Sequence, residues 1–434
     1  MDVDWPSVPL SELVDPQRGI SYGIVQPGSP VPDGVPIVRV SDVRNGRIDV
    51  RSPLRVAADI ERTYGRTRLR GGELLITIVG TVGETAIVPP DMAGWNVARA
   101  IAVLPVKPEV GSYWVQLGLR SSAAASMIQS RLNTTVQATL NLGDLSRLPI
   151  VLPPPDERQA IASILGALDD KIELNRRMNK TLEGMARAIF QDWFVAFGPT
   201  RAKMEGRPPY HAPDLWALFP DRLDAEGKPE GWDTGPLSSL MEIISGGTPP
   251  TSDSSSWNGQ IPWYSVVDAP SDTDLFVFDT QRKLTSHGLQ RSPGSLIAAN
   301  TVIVSARGTV GKLAIAGVEM TFNQSCYALR PLRGFGDRGL FFAMKNAVSR
   351  FHDLAHGAVF DTITKATFDA IQSILPPASV ARAFEDIAEP LMLRIKANVE
   401  EGRSLAATRD LLLPRLMSGE LRVKDAERAV EEAA

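Results

Sequence analysis

The chain is written twice. Trp5-Pro6-Ser7-Val8-Pro9-Leu10-Ser11-Glu12-Leu13 is matched 227 residues later by Trp232-Asp233-Thr234-Gly235-Pro236-Leu237-Ser238-Ser239-Leu240. Gly80-Thr81-Val82-Gly83 with Ala86-Ile87 returns as Gly308-Thr309-Val310-Gly311 with Ala314-Ile315, at an offset of 228. Leu152-Pro153-Pro154 returns as Leu375-Pro376-Pro377, at an offset of 223. Three matches in order and in register mean one folding unit used twice, and any account of the 434 residues must build the same thing two times over.

Each copy has a mixed part and a helical part. In the first part, Glu73–Val79 and Asn300–Ser305 read as strands that feed the Gly-Thr-Val-Gly turns, and Tyr113–Leu132 and Leu340–Leu354 read as helical patches. This predicts an α/β (α+β) domain over 1–150 and a second over 232–374. Between them lie a helix over 151–198 and a connector over 199–231. A second helix follows over 375–423, and an acidic tail over 424–434 closes the chain.

The helical part is the more regular. The 42 residues between Pro155 and Gly198 contain no proline. Asp156, with Gln159 three positions on, is a candidate cap for the start. A four-three alternation runs through Ile161, Leu165, Leu168, Ile172, Asn175, Asn179, Leu182, Ala186, Ile189 and Trp193, which is a coiled-coil seam. Shifted by 223, the second seam is Phe384, Ala388, Leu391, Ile395, Asn398, Gly402, Leu405, Arg409, Leu412 and Leu416. It is less regular, and Pro414 is expected to end or kink its helix near Leu413. So narrow a stripe needs a partner, and the only equally long stripe in the chain is its own repeat. Two antiparallel helices with a globular domain at each end, related by a pseudo-twofold axis, follow as the expected architecture. In that arrangement Asn175 and Asn398 meet and satisfy each other at mid-helix.

Composition narrows the functional classes. With 43% hydrophobic and 22% charged residues the chain is that of a globular protein. One cysteine, Cys326, excludes an internal disulfide and a cysteine-built zinc site. The first residues lack the pattern of a signal peptide, and the apolar runs Glu73–Val82 and Leu296–Val304 are far short of a bilayer span, so a cytoplasmic location is expected. The net charge of −4 weighs against nucleic acid, although a large protein can carry a local basic face.

Catalytic look-alikes do not survive inspection. Gly308-Thr309-Val310-Gly311-Lys312 resembles the tail of a phosphate loop, but Leu313 stands where a hydroxyl must hold magnesium, and Glu84 replaces the lysine in the first copy. A β-turn fits both. Asp221 with Glu226 and Lys228 mimics a nuclease site but lies in a connector rich in proline and glycine. Pro208-Pro209-Tyr210 imitates a methyltransferase loop without a cofactor-binding loop to accompany it. Among the histidines, His211, His287, His352 and His356, only His352 and His356 have ligand spacing, and no glutamate follows His352.

Other motifs do point somewhere. Leu152-Pro153-Pro154-Pro155-Asp156-Glu157-Arg158-Gln159, Leu168-Asp169-Asp170-Lys171-Ile172-Glu173-Leu174-Asn175-Arg176-Arg177 and Trp193-Phe194 resemble the central conserved region of type I restriction–modification specificity subunits. Phe219-Pro220-Asp221-Arg222-Leu223, Pro229-Glu230-Gly231-Trp232, Gly246-Gly247-Thr248-Pro249, Trp263, Asn323-Gln324 and the segment Leu412–Leu421 resemble the later parts of that family. The resemblance spans essentially the whole chain. It implies two tandem target-recognition domains reading a bipartite double-stranded DNA target, one half each, with no catalytic, metal or cofactor site in this chain. It also implies two methyltransferase subunits that use S-adenosylmethionine, and restriction subunits that use ATP and magnesium.

Two similar readers about a twofold axis suit the dyad symmetry of a duplex. Arg62, Arg66, Arg68 and Arg70 in the first copy, and Arg282, Lys283 and Arg291 in the second, are candidates for phosphate contact. Gln26, Arg39, Ser41 and Arg44, with Thr248, Trp263, Arg307 and Asn323, are candidates for base edges. A helix-only scaffold with no DNA contact is the rival reading, and it leaves the two mixed domains without a task.

Overall fold

The computed structural model describes residues 5–434 except 45, 51, 133–137, 271–272, 355–361, 427 and 429–434, with backbone alone at 349–354. His356 and most of the expected acidic tail therefore lie outside the described residues. Two compact units emerge, 1–170 with 404–434, and 171–403. Each unit joins one mixed domain to a part of both long helices, Pro155–Phe194 and Ala378–Met417, each of 40 residues.

In the first unit a four-stranded antiparallel sheet runs in the order Ser21–Tyr22, Ile101–Leu104, Leu74–Thr77, Thr85–Ile87. A smaller sheet places Val35–Val38 between Leu54–Val56 and Asn96–Val97. The ends of the domain are tied by Ser7–Pro9 pairing with Pro149–Val151, against which Trp114 is buried with its indole N–H donated to Val151 O at 2.9 Å.

The second unit repeats the plan. Met241–Ser245, Cys326–Pro331, Val302–Ser305, Leu313–Ala316 and Phe276–Val277 form its main sheet, the last strand having no described counterpart in the first unit. Lys283–Leu284, Trp257–Tyr264 and Thr321–Phe322 form the small sheet, and Asp233–Pro236 pairs with Gln372–Leu375. Val302–Ser305 is buried throughout because both of its faces are covered. Val302 and Val304 point to the cluster containing Phe341, Phe342 and Phe384, and Ile303 points to the cluster of Tyr264, Phe322 and Cys326. The strand's two-residue period makes that division.

Both Gly-Thr-Val-Gly segments are hairpin turns, as their sequence suggests. Gly83 and Gly311 take φ of 98° and 81°, which a side chain would disfavour. Their N–H groups close on Thr77 O and Ser305 O, each at 2.9 Å. The hydroxyls of Thr77 and Ser305 accept the next amides, from Glu84 at 3.0 Å and Lys312 at 2.8 Å. The segment thus closes a turn between two antiparallel strands in each copy.

The helices run antiparallel within each unit. In the first, Asp169 meets Arg409 at 2.5 Å and Glu157 meets Arg422 at 3.8 Å. In the second, Phe384 packs against Phe190 and Phe194, and Asn398 reaches Asn179. Ile161, Leu165, Leu168, Ile172, Ile395, Leu405 and Leu412 are buried as the seam requires, while Leu182, Ile189 and Leu391 are half-buried. Met392, beside Leu391, takes the enclosed place.

Three local expectations are corrected. The first helix starts at Pro155, with Pro154 O accepting Arg158 N–H, so Asp156 lies inside the first turn and complements the helix dipole in place of capping it. The second helix runs through both Pro390 and Pro414 to Met417. Burial of Leu412, Leu413, Leu416 and Met417, at about 1.5–3 kcal/mol each, outweighs the roughly 3 kcal/mol cost of an internal proline. The polar layer is also wired otherwise. Asn398 Nδ2 donates to Asn179 Oδ1 at 2.8 Å, and Asn175 Nδ2 donates to Glu401 Oε2 at 2.8 Å and more weakly to Asn398 O at 3.5 Å. One helical turn separates Asn175 from Asn179, and Asn398 faces the latter.

Candidate nucleic-acid interface

Each mixed domain is seated on the helices by half-buried polar and ionic contacts. In the first unit Asp169 accepts the Tyr113 hydroxyl at 2.9 Å and the Arg409 guanidinium, with Arg120 at 3.6 Å. Arg409 thus fills its seam position by pairing. In the second unit Glu385 receives the N–H groups of Arg338 and Gly339 at the start of the helix Asp337–Leu354, and Glu183 holds Lys345 at 2.8 Å. A domain fixed in this way presents its surface residues in a set orientation relative to its own helix segments.

The basic cluster of the first unit is built around one buried carboxylate. Glu61, 2% exposed, takes Arg68 through both oxygens at 2.9 and 2.5 Å and Asn96 Nδ2 at 3.0 Å. The Arg68 hydrogen bonds hold its carboxyl below the ordinary range despite burial. Arg18 braces the same segment, bonding Glu73 at 2.7 Å and the carbonyls of Arg66 and Arg68. Arg68 is therefore committed internally. Arg62, Arg66 and Arg70 are exposed and make no side-chain hydrogen bond or ion pair among the described residues. Of the base-edge candidates, Gln26 and Arg44 are exposed. Arg39 and Ser41 both bond Asp42, which closes a tight turn after the strand Val35–Val38.

In the second unit Thr248 is hydrogen-bonded to Gln324, and Asn323 turns its Oδ1 onto Ser325 N–H at 3.1 Å. Trp263 is enclosed, 6% exposed, with its indole N–H on Gly247 O at 2.9 Å. Its place as a base-edge candidate is corrected accordingly, since it has no free donor and works as a wall. Lys283 is paired with Asp279 at 2.9 Å and Arg291 with Asp253 at 3.7 Å. Asp253 is held near a pKa of about 2, chiefly by the hydroxyls of Ser255 and Ser256. Arg282 and Arg307 remain exposed, the first with its guanidinium over the Trp257 ring. Among the described residues no group of His, Cys, Asp and Glu is arranged to hold a metal. The connector carboxylates Asp224 and Glu226 are occupied with Lys228, and Tyr210 bonds Asp192.

A family model, the type I restriction modification DNA specificity domain, matches this chain twice, over residues 30–184 and 229–391. The chain belongs to the type I restriction–modification specificity family. Curated relatives agree. The HindI specificity subunit of Haemophilus influenzae is 28% identical over 338 residues, covering 68% of this chain and 73% of its own. The MjaIX specificity subunit of Methanocaldococcus jannaschii is 26% identical over 367 residues, covering 82% and 78%. The crystal structure of the S subunit of a type I system from M. genitalium shares the fold, with a TM-score of 0.53 and 14% identity, covering 95% of this chain and 96% of that one.

For a specificity subunit, the Gly246-Gly247-Thr248 motif then has a mechanical reading. A Cβ on Gly246 would overlap Asn323 O, and one on Gly247 would overlap the Gly294 backbone. Only glycine lets these loops close over the small sheet. Sequence reasoning missed Arg18, Glu61, Glu73, Asn96 and Trp257. The paired turns Arg39–Asp42 and Ser265–Asp268 were findable, because both are capping boxes and their offset of 226 follows the repeat.

Proposed function

We propose that this specificity subunit gives a type I restriction–modification complex its choice of DNA by reading a bipartite duplex, one half-site per recognition domain. The observation that carries the reading is the duplication itself: one strand order is built twice in one chain, and the family's DNA specificity domain matches each copy. Exposed cations, Arg62, Arg66 and Arg70 in one domain and Arg307 and Lys312 in the other, would hold phosphates and set position. Base choice would come from fixed side chains beside them. The paired helices would dock two methyltransferase subunits and, through them, restriction subunits. Those partners would supply the reacting groups, with methyl transfer from S-adenosylmethionine to adenine N6 and ATP-driven cutting carried out there.

The test is methylation by the assembled complex on a library of random duplexes. Two short specified blocks separated by an unspecified spacer are expected. A single continuous block, or methylation without sequence preference, contradicts the proposal.

A further inference from the structure

The second recognition domain holds one arginine unlike its other exposed cations. Arg282 lies with its guanidinium carbon 3.4 Å from the centroid of the Trp257 ring and 5.3 Å from that of Trp263. The two indoles meet edge to face at 5.2 Å. Both are enclosed, and both N–H groups are spent, on Pro250 O and Gly247 O, so neither indole donates a hydrogen bond to a further partner. The backbone beneath is clamped as well. Trp263 N–H bonds Arg282 O and Thr280 Oγ, Thr280 donates to Arg282 O at 2.6 Å, and Gln281 N–H is held by Asp268 at 2.8 Å.

A guanidinium held over an indole face keeps its N–H donors available for another partner, and this one is exposed and has no carboxylate partner among the described residues. Its neighbours Lys283 and Arg291 do have one. A rigid, unpaired fork of donors matches the O6 and N7 acceptors of guanine in the major groove, the commonest direct base contact. Among the described residues the apparatus belongs to this domain alone. Pro36 opposes Arg55 in the first small sheet as Pro262 opposes Lys283 in the second, which puts Leu54 at the place of Arg282 and Ile37 at that of Trp263.

We propose that Arg282 reads a guanine in the half-site of the second recognition domain, with Trp257 and Trp263 as its platform. The inference rests on the bipartite-reader function proposed above. The experiment measures binding of the full chain, in complex with its methyltransferase subunits, to duplexes carrying every single-base change in the target, at several salt concentrations. Arg282→Ala should weaken target binding by about 5- to 150-fold. It should also abolish discrimination at one guanine, leaving every other position and the first half-site as before. Arg282→Met, which keeps an apolar stem over Trp257 but has no donor, should lose that guanine in the same way, and it decides the matter if the alanine variant unfolds. Uniform loss over all sequences, with the salt slope reduced by about one, would make Arg282 a phosphate contact and overturn the inference. An unchanged base preference would overturn it equally. A parent complex with no base preference anywhere would instead refute the bipartite-reader proposal.

Discussion

Glu61 shows how a basic patch is given shape. Its carboxylate, buried behind Arg68 and Asn96, turns one arginine of four into a strut and leaves Arg62, Arg66 and Arg70 facing solvent. The spacing of the four arginines was plain in the sequence. That Arg68 differs was not, because its environment includes Asn96, 35 residues from Glu61, and such a contact leaves no local pattern. The network also fixes a dependence on pH. The folded-state pKa of Glu61 lies below its ordinary value near 4.5, so its contribution is present above that value and is lost as pH falls through the folded one. Glu61→Gln should lower the melting temperature at pH 7 and flatten its decline below pH 4.5, as followed by circular dichroism. A variant whose melting temperature falls with acid as steeply as the parent's would show that Glu61 is not the group being titrated.

The long helices were the most legible elements, since a seven-residue apolar period survives any ignorance of the fold. Their details were less so. Pro414 is a breaker by local rule and is overruled by the buried leucines around it. The shift of 223 aligned Asn175 with Asn398 correctly as repeats, yet the antiparallel register pairs Asn398 with Asn179. That pair makes a sharp prediction. Asn179→Leu leaves the Asn398 amide, in a side chain 1% exposed, without its acceptor, and should cost about 1–3 kcal/mol in denaturant unfolding. Asn398→Leu should cost a similar amount, and the double variant clearly less than the two together. Asn175→Leu should be milder than either, because Glu401 keeps Lys171 at 3.2 Å. Strict additivity of Asn179 and Asn398 would mean that the hydrogen bond contributes nothing.

The duplication was legible from three short matches, and with it the two mixed domains and the two helices. The sequence did not reveal how the chain divides. Each compact unit takes a recognition domain together with helix segments distant from it in sequence, 404–434 joining 1–170 in the first. Such a division follows from antiparallel pairing, which brings the end of one helix to the beginning of the other. It also makes each recognition domain a body with its own core and its own ionic seat on the helices, as the proposed independent reading of two half-sites requires. The decisive measurement is to exchange residues 232–374 for the same region of another specificity subunit with a known target, and to map methylation by the resulting complex. The half-site read by residues 1–150 should persist unchanged while the other becomes that of the donor. A change in both half-sites, or in neither, would contradict two independent readers carried by one chain.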